Sequence, residues 1–251
     1  MPRQEETFRG TEAERLTHHN VFCHIAGIYD LMNLLISFGL IRSWRRYVAR
    51  SLALRTGETW LDLGTGTADL AIALMRASEP NTRIIGIDLS PEMLEQGRLK
   101  LRRRGLHNRI SLRIGDAEHL ALPDNSVDGC CSAFLIRNLD DLSQSFRETL
   151  RVVRPHGRIV CLEVNHPANK VFRRLFHFYF YKCAPFCGAI LGQKFNAYQY
   201  LPASLKNFPD APALKKTMEE CGWSDVHIHY LHGGMVAMYE GTKRDEEKFP
   251  C

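Results

Sequence analysis

No apolar run in this 251-residue chain approaches the roughly 20 residues that a bilayer crossing requires. The first residues, MPRQEETFRGTEAERL, are charged and lack an apolar centre, so no secretory leader is expected. Eight cysteines include no C-x-x-C pair, and eleven histidines include no H-E-x-x-H spacing. A disulfide framework and a bound metal are therefore not expected, and reduced packing cysteines fit a cytoplasmic protein. Cys130 and Cys131 lie in a strand pattern that points at least one of them inward, while Cys183 and Cys187 lie four apart in an aromatic stretch. Internal repeats, low-complexity blocks and linkers are also missing, so the chain reads as one domain. The net charge of +5 is modest. Its clusters, KLRRRGLHNR (100–109) and KVFRR (170–174), read as solvated helix ends, and no nucleic-acid partner is expected.

Forty-five per cent hydrophobic and 24% charged residues suit a soluble core. After a polar tail (1–19), apolar residues recur at helical spacing over 20–54. From there strands alternate with helices. Strands are predicted at 58–63, 83–88, 109–114, 127–133 and 157–164, and helices at 68–78, 90–104 and 142–153. Segments of this length imply right-handed crossovers and a parallel sheet. A helical, aromatic segment (165–209) interrupts the alternation, followed by a helix near 210–221. Two last strands, 223–231 and 235–243, meet near Gly233-Gly234, a hairpin signal. The expectation is an α/β, Rossmann-like fold of the class I methyltransferase kind. Its seven-stranded, mostly parallel sheet is closed by an antiparallel hairpin, with 20–54 as a helical cap, 55–164 as the cofactor core, 165–209 as a lid and 210–243 as the closing unit.

The stretch TWLDLGTGTADLAIAL (59–74) runs from strand through glycine loop to helix. Gly64 and Gly66 allow close backbone approach, and the helix start aims N–H groups at the same place. A dinucleotide loop would carry a third glycine where Asp69 stands, and Asp62 precedes the loop. An acidic, hydroxyl-bearing loop suits an ammonium group better than a pyrophosphate, so S-adenosylmethionine is favoured over NAD. The second strand ends in Asp88, a candidate acceptor for ribose hydroxyls, followed by Leu89. Within IGDAEHLALPDNSVD (114–128), Asp116 and Ala117 lie where the adenine amino group would be met. Met93 fits adenine packing or plain core packing equally well. Asp62 has a capping alternative, and Asp69 favours its helix dipole whatever the ligand.

Four segments resemble the ubiquinone/menaquinone biosynthesis C-methyltransferases: YDLMNLLISFGLIRSWRR (29–46), LDLGTGTADL (61–70), IRNLDD (136–141) and YQYLPASLKNFPD (198–210). The resemblance spans about residues 20–243. It implies cofactor contacts at Thr67, Asp88, Asp116 and Ala117 around the Gly64/Gly66 loop. It also implies methylation of a prenylated quinol, demethylmenaquinol first. The chain departs from the family pattern at Ala133 and Leu135, where serine and glycine are common, and at Arg154-Pro155-His156-Gly157. A diverged methyltransferase acting on carbon, nitrogen or oxygen of another aromatic, or a cofactor-binding scaffold in quinone synthesis, remains the alternative.

Methyl transfer to such a ring needs a group that stabilises a phenolate. Arg137 follows the fourth strand at the carboxyl edge, where ligands bind in open α/β sheets, and is the first candidate. The plainer reading has it tie its loop to Asp140 or Asp141. Asn138 belongs to the same turn. Tyr29, Asp30, Asn33, Tyr198 and Tyr200 are further candidates from segments that could close over a substrate, and His166 is a candidate base. The segment KVFRRLFHFYFYKCAPFCGAILG (170–192) mixes basic and aromatic residues. It reads either as a buried lid or as a surface that takes a prenyl tail from the inner face of the membrane, where the protein would sit peripherally. The sequence is compatible with an oligomer and does not choose one.

Overall fold

The structure is a computed structural model that describes residues 29–167, 169–179 and 208–245. The side chains of Tyr29, Phe172, Leu175 and His177, the whole of Tyr198 and Tyr200, Cys183 and Cys187, and the aromatic run after residue 179 lie outside the described residues. The cap contains α1 (Tyr29–Ile36) and α2 (Leu40–Leu52), separated at Phe38 (φ 49°) and Gly39 (φ 79°). The core follows as β1 (Thr59–Leu63), α3 (Asp69–Ala77), β2 (Arg83–Asp88), α4 (Pro91–Arg103), β3 (Ile110–Ile114), β4 (Val127–Ala133), α5 (Leu142–Val152) and β5 (Val153–Val164). Then come α6 (Lys170–Phe178), α7 (Ala211–Glu220), β6 (Trp223–Leu231) and β7 (Val236–Lys243).

The strands form one seven-stranded sheet in the order β3-β2-β1-β4-β5-β7-β6. Pairs up to β4–β5 are parallel, while β7 runs antiparallel to both β5 and β6. The order reverses direction between β1 and β4, which opens a crevice at the carboxyl ends of these strands. Helix starts obey simple capping chemistry. Ser90 Oγ accepts from Met93 N at 3.2 Å, Asp141 Oδ1 from Gln144 N at 2.9 Å, and Asp210 Oδ1 from Ala213 N at 3.0 Å. Pro91 and Pro212 stand in the first turns of α4 and α7, where no N–H is needed.

Apolar layers cover both faces. Trp44, Val48 and Leu52 of α2 join Leu70, Leu74 and Met75 of α3 against Trp60, Cys131, Val160 and Leu162. On the other face Phe146, Leu214, Met218 and Trp223 pack on Leu61, Cys130, Ile159 and Tyr239. Both Cys130 and Cys131 are therefore buried, one in each layer. One boundary differs from the sequence pattern. The fifth strand begins at Val153, four residues earlier than the alternation predicts. Val127 pairs with Val153 and Gly129 with Arg158, so Arg154–Gly157 form an irregularity, with His156 left-handed at φ 63°.

The end of β1 holds Asp62, buried within the sheet and 1% exposed. Burial pushes its carboxyl up to about 7, against the lowering effect of bonds from the Thr65 hydroxyl (2.6 Å) and the Ala71 amide. The folded chain therefore holds a proton that the unfolded chain releases above the ordinary value of 3.8. This stabilisation is present at low pH and is lost as pH rises through about 7. Asp62→Asn, which keeps an oxygen acceptor for Thr65 but cannot ionise, should gain in melting temperature on the wild type between about pH 4 and about pH 7. Scanning calorimetry across that range checks this; a constant difference contradicts the buried-acid account.

Candidate active site

The glycine loop leaves β1 with three left-handed residues in alternation: Gly64 (φ 61°), Gly66 (φ 53°) and Ala68 (φ 64°). Three of its amides are already engaged. Thr65 N donates to Ile87 O at 3.0 Å, Gly66 N to Asp88 Oδ2 at 2.8 Å, and Ala68 N to Thr65 O at 2.8 Å. The other oxygen of Asp88 accepts from Ser90 N at 2.9 Å. One carboxylate thus fixes both the loop and the start of α4. A loop whose amides point back to β2 is a poor pyrophosphate cradle. A cation-bearing cofactor suits it better. The space above Gly66 is open: a Cβ there would find only Gly64 O and Met93 Cε, both at 4.0 Å. Gly64 is closed, because a Cβ there would come within 2.7 Å of Leu135 Cδ1.

Other residues singled out in the sequence meet along the same edge. Leu89 is 59% exposed beside Asp88, and Met93 is buried against Gly66. Asp116 accepts from Glu118 N at 2.8 Å and faces His119 Nδ1 at 3.3 Å, with Ala117 buried next to it. Glu118, buried, receives the amides of Asp140 (2.8 Å) and Asp141 (3.2 Å), which links the β3 edge to the turn after β4.

Asp30 lies at the glycine loop. It accepts from Thr67 Oγ1 at 2.7 Å and pairs with Lys100 of α4. Lys100 Nζ also reaches Thr67 Oγ1 and Asp69 Oδ1, both at 2.7 Å, and Arg45 Nη1 meets Asp69 Oδ2 at 2.6 Å. Burial works to raise the Asp69 carboxyl, but the Arg45 and Lys100 charges outweigh it and hold the group below its usual value. Five side chains from α1, α2, the loop, α3 and α4 are thus knotted together. Only the final partnership shows this, since positions 30, 45, 69 and 100 are remote in sequence.

The second half of the edge is apolar. A cavity of about 120 Å³ lies between the cap and the sheet, walled by Ile36, Ile41, Trp44, Phe134, Val164 and Met235, among others. Arg137 is the one charged residue among its described lining residues; Asn33 also lines it, whereas Asp30 does not. Arg137 stands in a 3₁₀ turn (Ile136–Asn138), with its side chain 7% exposed. Its guanidinium pairs with Glu163 and lies 5.7 Å from the Phe134 ring centroid. This bond ties Arg137 to the neighbouring strand. Asn138 Nδ2 donates to Phe134 O at 3.3 Å and so fixes the turn. His166 follows β5 and is not among the cavity residues. Trp44 Nε1 donates to His232 Nδ1 at 2.8 Å, closing the cavity floor against the β6–β7 turn; nothing in the sequence signals that contact.

Known proteins resemble this chain over nearly its whole length. The model of the ubiE/COQ5 methyltransferase family matches residues 10–243. A protein of Citrifermentans bemidjiense named ubiquinone/menaquinone biosynthesis C-methyltransferase is 39% identical over 223 residues, covering 89% of this chain and 94% of its own. A demethylmenaquinone methyltransferase of Geobacillus stearothermophilus is 38% identical, covering 94% of this chain and all of its own. Among solved structures, a SAM-dependent methyltransferase from Aquifex aeolicus superposes with a TM-score of 0.59 at 18% identity, covering 79% of this chain and 88% of its own, a likeness of fold. With a family match across 10–243 and relatives near two-fifths identity, the chain belongs to the ubiE/COQ5 methyltransferase family.

Proposed function

We propose that the chain transfers a methyl group from S-adenosylmethionine to a ring carbon of a prenylated quinol, demethylmenaquinol in the first instance. The observation that carries this reading is Arg137, the one charged residue among the described residues that line a mostly apolar cavity at the strand ends. The names of the relatives, ubiquinone/menaquinone biosynthesis C-methyltransferase and demethylmenaquinone methyltransferase, support the substrate class.

S-adenosylmethionine supplies an activated methyl on a sulfonium when bound. Gly64, Gly66 and Thr67 would face its amino-acid end, Asp88 and Leu89 its ribose, and Met93, Asp116 and Ala117 its adenine. Asp62 and Asp30 support the loop and cap in this reading. The quinol ring would lie in the cavity with a hydroxyl toward Arg137. The guanidinium would lower the cost of releasing that hydroxyl's proton to water, and the phenolate left behind makes the ring carbon nucleophilic. As the carbon–methyl bond forms the sulfur–methyl bond breaks, with S-adenosylhomocysteine as leaving group, and the ring carbon then loses its proton to a water near the arginine. The apolar walls keep bulk water away, and Asn138 keeps the turn in shape.

We further propose a membrane-facing surface beside the cavity. Leu31, Leu35 and Phe38 of the cap and Val171 and Phe178 of α6 are exposed, at 45–80%. Lys170, Arg173 and Arg174 on α6 are exposed as well. Tyr179 joins the two elements, its ring 5.0 Å from that of Phe38 and its hydroxyl donating to Ile36 O at 2.8 Å. Apolar area rimmed by positive charge suits uptake of a lipid-borne quinol from an anionic surface. Among the described residues no helix is long and apolar enough to cross a membrane, so contact would be peripheral.

Two outcomes are expected. Arg137→Lys keeps a charge against Glu163 but loses the planar fork, so turnover of a detergent-solubilised demethylmenaquinol should fall about 100-fold. Affinity for S-adenosylhomocysteine should stay within about twofold, and normal turnover at an unchanged melting temperature would return Arg137 to a structural role. In flotation, the protein should bind vesicles with anionic lipid, bind less at high salt, and detach in an Arg173→Glu/Arg174→Glu variant. Wild type that never floats with anionic vesicles removes the membrane surface.

A further inference from the structure

The carboxylate of Glu163 is the most enclosed charge at the edge. The residue is 0% exposed, sits in the apolar run Val160–Val164, and is one position before Val164 in the cavity wall. It accepts from the Arg137 guanidinium, from Arg137 N at 3.3 Å and from Val164 N at 2.8 Å. From β7, Tyr239 faces the same region, and its phenol is pushed up first by burial and then by the negative charge of Glu163. A buried ion pair is a weak source of stability, and an apolar side chain of similar size would serve the sheet as well. The pair does supply orientation. Glu163 holds the side chain and the backbone of Arg137 at once, while the Phe134 ring flanks the guanidinium.

We propose that Glu163 is a positioning residue for the reaction: its buried carboxylate fixes the 3₁₀ turn and the guanidinium of Arg137 so that the arginine's charge meets the substrate oxygen in one orientation. Glu163 is not itself on the cavity wall and acts through Arg137. The inference rests on the function proposed above for Arg137.

Two measurements test it. The first needs no substrate. The ¹⁵Nη guanidinium resonances of Arg137, assigned by their loss in Arg137→Lys, should be resolved and slow to exchange in the wild type, because Nη1 donates to Glu163. In Glu163→Gln they should shift and average with one another; resonances that stay separate and in place overturn the proposal. The second uses a short-chain 2-prenyl-1,4-naphthoquinol lacking the ring methyl. Glu163→Gln should lower kcat roughly 10- to 100-fold, with KM and S-adenosylhomocysteine affinity within about twofold. Added to Arg137→Lys, it should cost no more than about a further twofold, because both act through one group. Losses that multiply in the double variant, or a loss confined to KM, overturn it. If Glu163→Gln does not fold, Glu163→Asp, which keeps the charge but withdraws it by one methylene, should give the same signature. A wild type that binds S-adenosylhomocysteine but leaves the quinol unmethylated sinks the function reading; the resonance experiment still decides the role of Glu163.

Discussion

The bond from Gly66 N to the Asp88 carboxylate is the constraint around which the rest is arranged. A loop with three left-handed residues is costly unless its surroundings dictate its shape. Asp88 does so from the adjacent parallel strand, and its second oxygen takes the amide of Ser90, the cap of α4. The order β2-β1-β4 brings that carboxylate beside the loop and leaves the turn after β4 on the loop's other flank. Leu135 then packs on Gly64, joining the cofactor half of the edge to the half that carries Arg137. The leucine that departs from the family pattern is thus part of the contact between the halves.

The two halves differ in electrostatics. Around the loop, acids and bases from the cap and α3–α4 neutralise one another in the Asp30–Lys100–Asp69–Arg45 knot. This network fastens α1 and α2 to the loop and to α3 and α4. Around the cavity, mostly apolar described side chains surround the Arg137–Glu163 ion pair. In the proposed reaction the guanidinium would meet a developing negative charge in surroundings that screen little. A polar glycine loop set apart from a mostly apolar pocket that Arg137 lines suits that transfer of a methyl onto an apolar ring.

Much of the fold was legible because hydrophobic period decides it. Strands such as 83–88 and 127–133 and the Gly233-Gly234 turn stand where alternation and turn chemistry put them. The early start of β5 was hidden, because Pro155 and the left-handed His156 break the alternation while pairing continues. Within the site, local motifs placed the glycine loop, Asp88 and Arg137 on one edge. Partners were not legible. Asp140 and Asp141 are near Arg137 in sequence, yet the neighbouring strand supplies Glu163. Asp30 read as a substrate-side residue because its signature segment lies outside the core; its contact with Lys100, seventy positions away, moves it to the loop. One signal was present in advance: a glutamate in the otherwise apolar strand VCLEV asks for a buried partner.

The central claim is that the loop fixed by Asp88 holds S-adenosylmethionine. Isothermal titration of S-adenosylhomocysteine into wild type and Asp88→Ala tests it most directly, with melting temperature followed alongside. Wild type should bind, and the variant should bind at least about tenfold more weakly while remaining folded, the loss of a charged hydrogen bond being worth roughly 1.5–3 kcal/mol. Equal affinity in the two proteins would contradict the account.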